Sequence, residues 1–249
     1  MHQIWPPQRA GELDDEGLER LYTYPSGRWL CVNFVASADG AMVLDGRARG
    51  LSNDPDRRVL KLGSDLADVL LVGATTAMVE EFRGVHPDAE TAARRERHGL
   101  APIPPTAVVT SGRSLPEDAP VITEAAVPTF VITSEAAPAR TREAWAAAGA
   151  RVVVAGEREP DLRRAVDTLA EHGLERIDCE GGAQLFGALL AAGLVDELRL
   201  TVSPLLVAGD AGRIAAGPHI EPARLELLSV VAESDTLLTR YRVLPRVAP

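Results

Sequence analysis

Short apolar runs alternate with helical patterns along most of this chain, and that alternation limits the fold more than any other feature. Runs at residues 29–37, 68–73, 107–110, 129–133, 151–155 and 176–179 have strand length and are rich in valine, leucine and isoleucine. Helical patterns lie at residues 54–66, 75–82, 138–148, 162–172 and 183–192. Parallel strands need crossover connections, so this order points to a mostly parallel sheet covered by helices. A further strand at 197–202 and two alternating runs around Glu233-Ser234-Asp235 close the chain, the latter as an antiparallel hairpin. The expected class is α/β with a mixed, mostly parallel sheet.

Local signals mark where elements start and stop. Asn53-Asp54-Pro55 supplies a cap residue and an early proline for one helix, and Gly149, Gly173 and Gly193 close three others. Residues 83–105 are polar with weak periodicity and read as a surface helix or a long loop. Residues 1–27, with several prolines and one short helical pattern around Leu18, Leu21 and Tyr22, read as an N-terminal extension. Residues 28–249 then form a single domain, because the 115–128 loop is too short to divide it.

Composition removes several classes. The 249 residues are 46% hydrophobic and 25% charged, which is ordinary for a globular chain with a core. A net charge of -10 and a pI near 5.0 exclude nonspecific nucleic-acid binding, which needs a basic surface. Cys31 and Cys179 sit in apolar runs and the five histidines are scattered, so neither a disulfide framework nor a metal site is expected. No apolar stretch approaches the roughly 20 residues of a membrane span, and residues 1–9 lack the apolar core of a signal peptide. A cytoplasmic protein with reduced thiols and no membrane partner is expected.

Three strand ends carry features suited to an anion. In Arg-Ile-Asp-Cys-Glu180-Gly181-Gly182-Ala-Gln184-Leu185, a strand gives way to two glycines that open a helix, where backbone N–H groups can approach a pyrophosphate. A tight strand-to-helix turn explains the same glycines equally well. Leu-Leu-Val-Gly73-Ala-Thr75-Thr76 is a second junction, whose threonines can cap a helix or meet a phosphate. Ala-Val-Val-Thr110-Ser111-Gly112-Arg113 is a third, and the planar guanidinium of Arg113 suits the 2′-phosphate that separates NADPH from NADH. A solvated surface arginine is the simpler reading of Arg113. Thr133-Ser134 can border the same groove. Neither Gly-x-Gly-x-x-Gly nor Gly-x-x-x-x-Gly-Lys-[Ser/Thr] occurs. Among the acids, Asp54 and Asp56 complement a helix N-terminus, whereas Glu80 and Glu81 end a helix, where negative charge is unfavourable.

In their order and spacing these segments resemble one family. Val-Asn-Phe-Val-Ala-Ser37-Ala-Asp39-Gly40, then Ala-Asp-Val-Leu-Leu-Val-Gly73-Ala-Thr75-Thr76, then Glu180-Gly181-Gly182 and Gly193-Leu-Val-Asp196-Glu197-Leu are similar to the reductase domain of bacterial riboflavin biosynthesis. The likeness covers roughly residues 28–245. It implies a three-layer, dihydrofolate-reductase-like fold, NADPH as hydride donor and a homodimer. Carried over by position, Gly73, Thr75, Thr76, Ser111, Glu180, Gly181, Gly182 and Leu185 line the cofactor groove, with Gln184 and Arg113 beside them. Ser37, Asp39, Ser52, Asp56 and Glu81 surround the nicotinamide and substrate, with Asn33 as a polar contact. The family reduces the ribosylamino side chain of a phosphorylated aminopyrimidine. This chain carries Asn33 where members commonly have lysine, and Glu80-Glu81-Phe82 in place of Asp-Asp-Pro. It also lacks the zinc deaminase domain fused to many members.

The resulting expectation is an NADPH-dependent reductase of a pyrimidine- or pterin-like compound, with 5-amino-6-(5-phosphoribosylamino)uracil first among substrates. A dihydrofolate-type activity is one alternative. A nucleotide-binding protein that kept the groove without turnover is the other.

Overall fold

Side chains alternate across each strand, so the polar and apolar positions of the central strands decide which face meets which helix. In the computed structural model, which describes residues 1–245, the elements in chain order are β1 (His2–Trp5), β2 (Gly11–Glu12), α1 (Asp15–Tyr22), β3 (Trp29–Ser37), α2 (Asp54–Leu66), β4 (Val69–Gly73), α3 (Ala74–Val79), α4 (Ala89–Arg97), β5 (Thr106–Val109), α5 (Pro120–Thr123), β6 (Phe130–Thr133), α6 (Ala139–Ala147), β7 (Arg151–Val154), α7 (Leu162–Glu171), β8 (Arg176–Cys179), α8 (Ala183–Ala191), β9 (Glu197–Ser203), β10 (Leu225–Glu233) and β11 (Thr236–Val243). The last four positions of the expected domain, 246–249, lie outside the described residues.

The strands form one sheet in the order β2-β1-β10-β11-β9-β3-β8-β4-β5-β6-β7. From β9 to β7 neighbours run parallel, and from β9 outwards through β11, β10 and β1 they run antiparallel. This is the mixed, mostly parallel sheet with a C-terminal hairpin that the sequence led us to expect. On one face, α7 and α8 bury Leu169, Phe186 and Leu189 against Leu30, Val32, Leu71 and Ile177. On the other, α1 and α2 cover Cys31, Val231 and Leu238, and α6 inserts Trp145 between Val72, Val108 and Val131. The arrangement therefore has three layers. Both cysteines are buried free thiols, and among the described residues no helix is long and apolar enough to cross a membrane.

Residues 1–27 are joined closely to this core. Strand β1 pairs with β10, and α1 buries Leu18 and Tyr22 beneath α2 and β11. The polar 83–105 stretch contains α4, and its Arg95 is fully buried rather than at the surface. Arg95 donates to the carbonyls of Asp65 at 3.0 Å and Ala67 at 2.8 Å, satisfying the C-terminal end of α2.

Candidate active site

Because β8, β4 and β5 are neighbours, the three strand-end loops singled out in the sequence lie side by side. Two of them are docked on each other: the Gly73 N–H donates to the Gly181 carbonyl at 2.8 Å. A Cβ on Gly182 would stand 2.3 Å from Thr76 Oγ1, and one on Gly181 (φ +89°) would stand 3.0 Å from the Phe34 ring. Glycine is thus required at 181 and 182 by loop packing alone. The same packing leaves Gly73 and Gly182 as the N-caps of α3 and α8, with no side chain capping either helix. The first-turn N–H groups of α8 remain available to an anion, which fits the cradle a dinucleotide phosphate needs.

The third loop differs in detail. Arg113 is exposed and its Nε donates to Ser111 Oγ at 3.3 Å. Thr133 and Ser134 are fully buried, and Ser134 donates to the Arg158 carbonyl at 3.0 Å, so they do not border a groove as expected. Gln184 is exposed on the first turn of α8, while Leu185 is buried in the main core.

A cavity of about 440 Å³ opens beside the glycine loops, between α2, α3, the end of β8 and the middle of β3, β9 and β11. That volume lies within the range of small-molecule sites. Asn33, Ser52, Asp56 and Glu180 line it, together with Thr75, Thr76 and Gly182 from the loops. Asp56 accepts from Ser52 Oγ, and its N–H is capped by Asn53 Oδ1 at 3.2 Å, as the cap signal implied.

Other expected residues lie outside the cavity lining. Glu81 follows α3 in a left-handed conformation (φ +59°), which turns its carboxylate outward to Arg47 at 2.9 Å. That hydrogen bond and the Arg47 charge hold Glu81 below the usual glutamate range. Its neighbour Glu80 lines the cavity instead, accepting the Ala48 N–H at 2.8 Å. Asp39 accepts from Ser37 Oγ and from the Ala208 and Val207 N–H groups at 2.7 and 3.1 Å. These donors hold its carboxyl down at about 2 and make it an anchor for the loop after β9. Ser37 is buried and also accepts the Ala41 N–H at 2.9 Å.

Behind the cavity lies a polar layer that sequence reasoning did not single out. Alternation along β8 puts Asp178 and, just past its end, Glu180 on the α2 face. Asn33 donates to Asp178 Oδ1, and Ser64 of α2 reaches Glu180 Oε1 at 2.9 Å and Asp178 Oδ2 at 3.4 Å. On β9, Arg199 pairs with Glu197 at 2.9 Å, and Arg240 of β11 pairs with the same oxygen at 2.7 Å. Glycine at position 63 lets helix α2 pass this close without pushing the layer back. A Cβ there would stand 3.1 Å from both Arg199 Nη1 and Asp178 Oδ2. Burial alone would raise Glu197, but the two arginines hold it at about 2. Burial raises Asp178 despite Arg199, and burial and then the Asp178 charge raise Glu180.

The RibD C-terminal domain model matches residues 28–238. The chain belongs to that family. Among curated proteins, it is 33% identical over 224 residues to the 2,5-diamino-6-ribosylamino-4(3H)-pyrimidinone 5′-phosphate reductase of Methanothermobacter thermautotrophicus, covering 86% of this chain and 98% of that one. The protein of the same name from Archaeoglobus fulgidus is 28% identical over 217 residues, with the same coverage of both. A solved pyrimidine reductase-like protein from Corynebacterium diphtheriae shares the fold, with a TM-score of 0.76 at 22% identity, covering 88% of this chain and 93% of that one.

Asp178, Ser64 and Arg199 are the residues of this RibD-domain site that the sequence reading passed over. The signal was present as polar residues at alternate positions of otherwise apolar strands, Asn33 in β3, Asp178 in β8 and Arg199 in β9. A buried parallel strand has no solvent face to receive them, so they must meet one another.

Proposed function

We propose that this protein reduces a phosphorylated ribosylamino-pyrimidine, with NADPH as hydride donor. The observation that carries this reading is a cavity lined by carboxyl groups that opens directly beside an uncapped, glycine-built helix N-terminus. Gly73, Thr75, Thr76, Gly181 and Gly182 would hold the cofactor's pyrophosphate, and Ser111 and Arg113 its 2′-phosphate, which a planar guanidinium matches. Bound there, the cofactor supplies hydride. Asp56, Asn33 and Glu180 would face the pyrimidine, and Arg49 and Arg57 at the cavity wall would take the substrate phosphate. The ring-opened sugar presents an imine carbon, and the site must align it while a proton reaches nitrogen. Exposed Ile4, Trp5, Leu225 and Leu237 on the antiparallel side suit a homodimer, and the two buried free thiols suit a cytoplasmic location.

The two relatives named above act on the diaminopyrimidinone phosphate, whereas 5-amino-6-(5-phosphoribosylamino)uracil stood first from sequence. The experiment therefore follows NADPH oxidation at 340 nm with each compound and with dihydrofolate. Turnover of either phosphoribosylamino-pyrimidine, with dihydrofolate inert, is the expected result. NADPH binding without turnover of any of the three would overturn the reading in favour of a nucleotide-binding protein.

A further inference from the structure

Glu180 lines the cavity and also reaches the buried layer behind it through Ser64. Ser64 is the hinge between the two. Its hydroxyl has a single proton, yet three acceptors surround it: Glu180 Oε1 at 2.9 Å, Asp178 Oδ2 at 3.4 Å and the Leu60 carbonyl at 3.1 Å. If both carboxyls were ionised, one hydroxyl proton would have to serve two adjacent anions inside a protein interior; Asp178 also has Asn33 and the Tyr24 hydroxyl as donors, so Glu180 is the anion that would go short. If Glu180 is neutral, its own O–H can donate to Ser64 Oγ, which frees the Ser64 proton for Asp178. Asp178 is fully buried, with Asn33 donating to its other oxygen. It is therefore the better site for the charge.

We propose that Glu180, Ser64 and Asp178 form a proton-delivery unit in which Glu180 is the acid of the reduction and Ser64 and Asp178 are positioning residues that keep it charged with a proton. This rests on the reductase reading above. As hydride adds to the imine carbon, the C=N π pair moves to nitrogen, which takes the proton from the Glu180 carboxyl. The Ser64 O–H then turns from Asp178 Oδ2 to the new Glu180 carboxylate, stabilising the charge as it appears. Asp178 keeps its charge throughout. Glu180 is reprotonated from water through the cavity, so each turnover consumes one hydride equivalent and one solvent proton.

The surroundings of the pair agree with this division. Arg199 of β9 faces Asp178 and favours its ionised form, with Glu197 compensating the arginine's charge. The titratable neighbours from the remaining elements are Tyr24 ahead of β3, Cys31 of β3 and Cys179 of β8. Burial holds all three above their ordinary values, so they stay neutral at physiological pH. Glu180 thus has one anion, Asp178, to keep it protonated and one hydroxyl to receive its charge.

The test follows the carboxylic-acid C=O band in infrared titrations of the cofactor-free protein, alongside the pH profile of kcat. An acid band persisting to neutral pH in the wild type and absent from Glu180→Gln is expected. Asp178→Asn removes the anion, so the band and the basic limb of kcat should move down by about one pH unit or more. Ser64→Ala removes the donor to the carboxylate, so both should move up by a similar amount. Opposite shifts are something a merely structural role cannot produce. Glu180→Gln should lower kcat, read at saturating NADPH, by about 100-fold or more. An acid band retained in Glu180→Gln, or shifts of Asp178→Asn and Ser64→Ala in the same direction, would overturn the proposal. Should Asp178→Asn fail to fold, an unmoved or downward-moving band in Ser64→Ala would do so alone. Because the infrared readout needs neither cofactor nor substrate, absence of turnover would count against the reductase reading and leave the titration to decide the relay.

Discussion

Arg113 illustrates how far a single residue can be placed from sequence. It lies in the loop after β5, beside the two docked glycine loops, exposed and with its Nε donating to Ser111 Oγ. A charge-assisted hydrogen bond of about 1.5–3 kcal/mol to the 2′-phosphate would be lost in Arg113→Ala, so Kd for NADPH should rise about tenfold or more. NADH, which lacks that phosphate, should bind within about twofold of the wild type. Isothermal titration of both cofactors checks this, and equal losses would remove Arg113 from the cofactor site. Other residues were harder to read. Glu80 and Glu81 are indistinguishable in sequence, and only the left-handed backbone at Glu81 decides which faces the cavity. Asp39 looks like a free acid until the loop after β9, some 170 positions later, supplies the N–H groups that occupy it. Turn chirality and long-range donors leave little trace in a local pattern.

Elements were far more legible, because hydrophobic period and cap residues are local properties. Asn53 caps α2 as its position implied, and the alternating runs from 29–37 to 197–202 became neighbouring parallel strands. What the pattern could not show was partnership between distant segments. Residues 1–27 look dispensable in sequence, yet β1 extends the sheet along β10 and Tyr22 lies under two arginines, with Arg199 and Arg240 each 5.2 Å from its ring centre. Those arginines neutralise Glu197, and the Tyr22 carbonyl accepts from Arg199 Nη2 at 3.2 Å. Deleting residues 1–27 would open this buried charge layer to water and uncover Leu238 and Val231. The loss of several buried side chains at about 1.5–3 kcal/mol each should lower the melting temperature by more than 10 °C. Differential scanning calorimetry of the 28–249 chain checks this. A melting temperature within a few degrees of the full chain would instead make the segment a true appendage.

The whole molecule feels the buried carboxyls as a dependence of stability on pH. Glu197, held at about 2 in the folded state, favours folding above the ordinary glutamate value, and that contribution is lost as acidification approaches 2. Asp178 and Glu180 act in the opposite sense, since burial raises both in the folded chain. The unfolded chain ionises them first, so the stability they confer in their protonated form is complete below the ordinary carboxylate range. It fades as pH rises from there through their raised folded values. The molecule should therefore be most stable near the mildly acidic range and lose stability towards pH 8. Each unit by which Glu180 is raised corresponds to about 1.4 kcal/mol, or roughly 3–6 °C for a chain of this size. In Glu180→Gln that slope from about pH 4.5 to 8 should flatten, with little slope left to lose below about pH 4, where the wild-type carboxyl is neutral in both states. Melting curves at half-unit steps of pH measure this directly. A wild-type melting temperature that rises from pH 5 to 8, or a slope unchanged in Glu180→Gln, would place the charge on Glu180 in the folded state. It would then leave the cavity with an anion where the reduction needs an acid.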